Sequence, residues 1–327
     1  MTWVTWRQYR YQAALAAALL AVLAVVLLMT GLHAALVWHS ALAGCARNGS
    51  CASLAGSNLS LSNSTVATLV VATSAVPLLP GLFWGAPAVA QELETGTNQF
   101  AWTQSISRRR WLAAKTGWLL LAAAVIAGVV SAVVTWWSGP GNALTADAFE
   151  VNRFDVTDIV PVGYAIFAMA LGICAGALLR RTLPAMAITL AGFAVLRLLT
   201  ALRLRMHYMT PVTVYYKLTA ATFTPAGSYL GINQGWVGPN GQPPVAGPGN
   251  YGFNGEPVPA VCEKFMLGAN PNPNPLPCLA AHGYRGYVTY QPASRFWAFQ
   301  GIETGIFVVL AAILLAVTFW VLKRRDA

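Results

Sequence analysis

Two acids and a basic run, Glu92 and Glu94 followed by Arg108, Arg109, Arg110 and Lys115, occupy the stretch QELETGTNQFAWTQSISRRR and the residues just after it, between two long apolar runs. Charges in that order can dock a partner, or form a solvated turn whose arginines merely fix the orientation of the chain in the membrane. Arg197 and Glu303 form a second set, the formal charges that fall well inside apolar runs. At the centre of a bilayer such a charge costs about 2.5 to 3.5 kcal/mol on insertion scales, so it finds a partner or serves a site. Their depths differ by roughly 3 Å at 1.5 Å per residue, which predicts a buried ion pair. A substrate contact and snorkelling of Arg197 to the interface are the competing readings. A proton relay would need further acids or histidines in line with Glu303, and the sequence supplies none.

Other reactive constellations are missing from the chain. It has no GxxxxGK[ST] phosphate loop, no HExxH, no GxSxG and no paired CxxC. His33, His39, His207 and His282 lack metal spacing, so no metal site is expected. The net charge of +10 is spread along membrane edges instead of one patch, which fits anionic lipid head groups and not nucleic acid.

The elements that must position these residues are membrane helices. Only 9% of the 327 residues are charged and 57% are hydrophobic, against about 25% charged in a soluble domain. Six stretches are long and apolar enough to cross about 30 Å of hydrocarbon: 12–32, 66–90, 116–137, 159–179, 182–202 and 296–322. The first is longer than a signal-peptide core and is read as a retained span. Eleven of the 20 basic residues, Arg7, Arg10, Arg108, Arg109, Arg110, Lys115, Arg180, Arg181, Lys323, Arg324 and Arg325, lie in short segments on one side. That side is the cytoplasm, with both termini there. Asp147, Glu150, Asp155 and Asp158 give an outer loop a negative balance. Cys45, Cys51, Cys262 and Cys278 also fall outside, on the oxidising face. Cys45 with Cys51 and Cys262 with Cys278 is the simplest pairing; cross-pairing or free thiols are the alternative. Cys174 falls in the fourth span as packing.

MTWVTWRQYRYQ mixes aromatic and cationic residues as an interfacial helix does, or as the ordinary flank of a span. In VPLLPGLFWGAP, Pro77, Pro80 and Pro87 predict a kinked or broken second helix, static or hinged. Arg180 and Arg181 alone join the fourth and fifth spans, which makes them an antiparallel hairpin. GICAG puts Gly172 and Gly176 on one face for close helix packing, within the chain or between subunits. The outer segment 203–295 alternates in TPVTVYYKLTA and again in GYVTYQP, predicting two strands that pair antiparallel. NQGWVGPNGQPPVAGPGNYGFNG and NPNPNP are read as loops too rich in Pro and Gly for regular elements. The fold class is thus an all-α polytopic membrane protein of six helices. Its parts are 1–202, with the polar loop 91–115; a small extracellular domain with some β structure, 203–295; and 296–327, the last helix with a basic tail.

GAPAVAQELETGTNQFAWTQSISRRRWLAAK, 85–115, resembles the signature of the membrane (permease) subunit of a bacterial type-2 class ABC exporter: an acid, a Gly-Thr pair, Ser and Arg, then a Lys opening the third span. Where that pattern often has a proline before Ser-Arg, Gln104 stands before Ser105. YQPASRFWAFQGIETGIFVVL, 290–310, is similar to the end of a subgroup with a large outer loop. The resemblance implies a homodimer, or a pair with a similar permease chain, that binds two ABC-type ATPase subunits carrying ATP and Mg. Glu92, Glu94, Thr95 and Gly96, with Arg108, Arg109 and Arg110, would then lie in the region coupled to the ATPase. The chain itself would be no enzyme but an exporter permease of the plasma membrane, moving an amphipathic or lipid-like compound outward. A non-transporting protein that senses or sequesters a compound through its extracellular domain is the alternative, and a membrane-embedded enzyme the weakest reading.

Overall fold

The computed structural model describes residues 21–33, 71–95, 108–145, 149, 151–218, 229–242, 258–262 and 275–324, together with the single residues 14, 18, 36 and 68. Two compact units emerge, Met1–Arg205 with Trp297–Ala327, and Met206–Phe296. The sequence reading of residues 1–12, of Cys45 and Cys51, and of Gly96 lies outside the described residues.

In the first unit, five helices among the described residues are long and apolar enough to cross a membrane, and a shorter apolar helix, α1 (Ala21–His33), stands where the first of six spans is expected. The second apolar run, Val71–Glu92, is not one α-helix. Pro77 and Pro80 cannot donate a backbone hydrogen bond. The chain tightens around them instead: the Val76 N–H bonds the Thr73 carbonyl at 3.1 Å and the Leu79 N–H bonds the Val76 carbonyl at 3.2 Å. A short turn, Leu78–Pro80, leads into a π-helical segment, Gly81–Gly85, and then into α2 (Ala86–Thr95).

Three long helices come next: α3 (Arg108–Thr145), α4 (Val160–Leu179) and α5 (Thr182–Leu199). Arg180 ends α4 in the left-handed conformation, φ 53°, with its N–H on the Gly176 carbonyl at 3.0 Å. The chain reverses there within two residues, so α4 and α5 are neighbours. Beyond α5 a π-helical turn, Thr200–Leu204, and a 3₁₀ turn, Arg205–His207, carry the fifth apolar run on to His207. The sequence reading ends that span at 202, because Arg203 and Arg205 interrupt its apolar character. α6 (Phe296–Arg324) closes the unit.

α4 is the central helix, and its small residues explain why. Ala165, Ala168 and Ala170 are fully buried, and Gly172 and Gly176 let α2 lie backbone to backbone against it. A Cβ on Gly172 would lie 2.7 Å from the Ala86 nitrogen, and one on Gly176 would lie 2.5 Å from the Ala86 carbonyl oxygen. Ala88 and Val89 of α2, Leu112 and Leu119 of α3, and Met169 and Ile173 of α4 form one buried cluster. On α5, by contrast, Ile188, Leu190, Val195, Leu198 and Leu199 are exposed, the composition of a helix whose outer face meets lipid.

The second unit is built on an antiparallel sheet of β1 (Val212–Lys217), β2 (Tyr229–Val237) and β3 (Arg285–Pro292), with β3 in the middle. β1 pairs with β3 from Val212 opposite Tyr290 to Lys217 opposite Arg285, the pairing that the alternating runs predict. β2 was not expected. Its segment NQGWV belongs to a strand because glycine weakens pairing but still donates its N–H, whereas the prolines begin only at Pro239. The irregular register falls between Gly231 and Asn233. Leu218, Trp236, Val258 and Leu279 fill the interior beside a disulfide between Cys262 and Cys278. Closing a loop of that length restricts the unfolded chain by about 2 to 4 kcal/mol.

Candidate functional site

The end of α2 is tied to two other helices. Lys115, at the start of α3 and 6% exposed, places its Nζ 2.6 Å from Glu92 Oε1 and 2.6 Å from the Ala88 carbonyl. A short charge-assisted bond with a backbone acceptor beside it offsets the cost of burying the ammonium. Glu94 accepts from the Thr182 hydroxyl at 3.0 Å and from the Thr182 backbone N–H at 3.3 Å, at the first residue of α5. A carboxylate there satisfies a free amide of the first turn and meets the positive end of the helix dipole. Both acids of the polar loop therefore engage the chain's own helices. The described residues reach Thr95 on one side and resume at Arg108 on the other; Arg110 is exposed.

A second cluster gathers in the same unit. Arg205 Nε and Nη2 clasp the Glu303 carboxylate at 3.0 and 2.7 Å, and Nη2 also donates to Asp155 Oδ1. The Tyr164 hydroxyl donates to Glu303 and stands 3.3 Å from Asp155 Oδ1. Arg197 donates through Nε to Asp155 Oδ2 at 3.1 Å and through Nη1 to the Ser74 carbonyl at 2.8 Å. The Arg205 guanidinium lies over the Phe154 ring, 4.1 Å from its centre. Two arginines and two carboxylates sum to zero charge, and Asp155, Tyr164, Arg205 and Glu303 are at most 2% exposed.

This corrects the direct Arg197–Glu303 pair read from the sequence. Both residues belong to one network, but Glu303 is held by Arg205 and Tyr164, and Arg197 by Asp155. The physical reason is the π turn at Thr200–Leu204: its wider spacing rotates the residues beyond it, and the fifth helix, continuing to His207, carries Arg205 to Glu303. Asp155 and Arg205 were both read as outer-loop residues, because hydropathy alone stops a span at its first charges. Gln300 was missed as well. Fully buried on α6, it accepts from the Val160 N–H at 3.0 Å and the Ile159 N–H at 3.3 Å and donates to the Phe154 carbonyl at 3.2 Å. It thus caps the start of α4 from another helix and fixes the turn that presents Asp155. An isolated Gln in QGIETGIFVVL was the available signal, a polar group in an apolar helix that must find partners.

Cys262, Cys278 and His282 stand close enough together for a metal site, but the two sulfurs are bonded to each other and so provide no thiolate. His282 Nδ1 lies 2.9 Å from the Cys278 carbonyl, an ordinary local contact.

Over residues 17–205 the chain matches the family model described as ABC-2 membrane transporter related. The match takes in the α2 joint and Asp155, Tyr164, Arg197 and Arg205, and stops before the sheet unit and Glu303. No curated protein and no solved structure matches it.

Proposed function

We propose, from the fact that this chain belongs to the ABC-2 membrane transporter related family, that it is the permease subunit of an ATP-driven exporter. It moves an amphipathic or lipid-like compound outward across the plasma membrane, while separate ABC-type ATPase subunits bind ATP and Mg and hydrolyse the nucleotide. Two copies, or one copy with a similar permease chain, complete the membrane part, and the basic ends of the helices face the cytoplasm. The sheet unit then lies outside.

The observation that carries the reading is the joint at the end of α2. A short helix tied by one carboxylate to α3 and by another to α5 is a place where a push from outside the membrane reaches several helices at once. The chemistry of such a chain is conformational: the ATPase favours one arrangement of the helices, and the cargo, held by apolar walls and a few polar groups, is released in it.

The test is to purify the chain with an ABC-type ATPase subunit from the same source and to compare ATP hydrolysis with and without the permease in lipid nanodiscs. The chain should stimulate hydrolysis. Glu92→Gln combined with Glu94→Gln should remove most of that stimulation while leaving membrane insertion unchanged. Full stimulation in the double variant would count against the coupling assignment, and a chain that recruits no ATPase would favour a sensing role.

A further inference from the structure

Glu92 and Glu94 sit where an ATPase would act, yet their carboxylates are engaged by the chain's own helices, Glu92 half-buried and Glu94 at the surface. Two positions along a helix turn about 200° around its axis, so the two acids face different neighbours. Glu92 faces α3 and Glu94 faces α5. Lys115, the partner of Glu92, is too deeply buried to touch another protein. Between these two contacts α2 lies on the glycine face of α4, where Gly172 and Gly176 leave no side chain to interlock. A contact of that kind, backbone on backbone at the glycines with Ala88 and Val89 beside Met169 and Ile173, sets no direction by hydrogen bonding, whereas a short charged hydrogen bond fixes distance and direction.

We propose that Lys115 and Thr182 are positioning residues that pass a displacement of α2 to α3 and α5 separately, with α4 as the bearing on which α2 moves. The π-helical segment Gly81–Gly85, just before α2, supplies the joint. This rests on the permease reading, and it assigns the acids a role different from touching the ATPase: they are struts. Contact by the acids alone would leave Lys115 and Thr182 without influence on coupling.

The experiment uses the permease with its ATPase in nanodiscs, and reads amide hydrogen exchange before and after addition of Mg and a non-hydrolysable ATP analogue. In the unaltered complex, nucleotide should change exchange at both 112–116 and 182–186. Lys115→Met should lose the response at 112–116 and keep it at 182–186; Thr182→Val, which removes the 3.0 Å hydroxyl donor and leaves Glu94 only the longer 3.3 Å backbone N–H, should keep the response at 112–116 and weaken it at 182–186. Each should lower chain-stimulated ATP hydrolysis about fivefold or more, a coupling loss at the low end of the usual range, with the ATPase still bound. Lys115→Arg and Thr182→Ser, which keep the donors, should respond at both places. Thr182 lies at an exposed helix start, so its variant folds even where Lys115→Met does not. Normal responses in both disruptive variants would overturn the struts and leave the permease reading intact. An unaltered chain that binds no ATPase would overturn that reading, and the struts with it.

Discussion

Arg205 is the residue on which the buried cluster turns. It faces two carboxylates, and removing it would leave Asp155 and Glu303 together in a space closed to water, with Arg197 paired to Asp155 and the Tyr164 hydroxyl in place of its charge. Removing one partner of a buried pair costs about 3 to 5 kcal/mol, mostly through the charge left behind. Arg205→Met should therefore lower stability by about that amount in denaturant unfolding of the detergent-solubilised chain. In a double-mutant cycle, Glu303→Gln should couple more strongly to Arg205→Met than to Arg197→Met. A stronger coupling to Arg197 would contradict the geometry. Sequence reading singled out Arg197 and Glu303 because a charge in an apolar run is conspicuous. It could not reach Arg205 or Asp155, whose neighbours in the chain are polar enough to look like loops. Arg205 is buried by helix continuation through a π turn and Asp155 by the turn that Gln300 fixes, local features that leave no mark in hydropathy.

Among the elements, the α2–α4 contact makes the sharpest demand on sequence. Gly176 sits over the Ala86 carbonyl and Gly172 over the Ala86 nitrogen, so any side chain must push α2 away. Gly176→Val should cost about 1 to 3 kcal/mol, the range for forcing extra atoms into a packed interior, and should speed amide exchange across Ala86–Thr95. Gly117, on α3, has nothing within 4 Å of its missing Cβ. Gly117→Ala should cost nothing and can gain about 0.5 to 1 kcal/mol from lower backbone entropy in the unfolded chain. Equal effects at the two glycines would mean that α2 and α4 are not in backbone contact. The prolines of VPLLPGLFWGAP made the break in the second helix legible, since each lacks a donor. β2 was hidden for the opposite reason: its glycines resemble loop composition, and pairing with β3 depends on a strand far along the chain.

At the scale of the whole molecule, two of the helices are longer than the hydrocarbon they cross. Thr182–His207 has 26 residues and Ala293–Arg324 has 32, roughly 39 and 48 Å at 1.5 Å per residue, against about 30 Å of hydrocarbon. The excess must tilt or project, and the charges decide where each end stops. Arg180 and Arg181 lie between α4 and α5, and Lys323 and Arg324 lie in the last turn of α6. Cationic ends of this kind are retained in the cytoplasm, where anionic lipids also favour them. Leu183, exposed beside the first pair, and Gln242, exposed in the sheet unit, should therefore lie on opposite sides of the membrane. Leu183→Cys should react with a membrane-impermeant maleimide only after the cells are permeabilised, and Gln242→Cys should react in intact cells. Reaction of Leu183→Cys in intact cells would turn the chain over, put the α2 joint on the exterior face, and remove it from the reach of any nucleotide-driven partner.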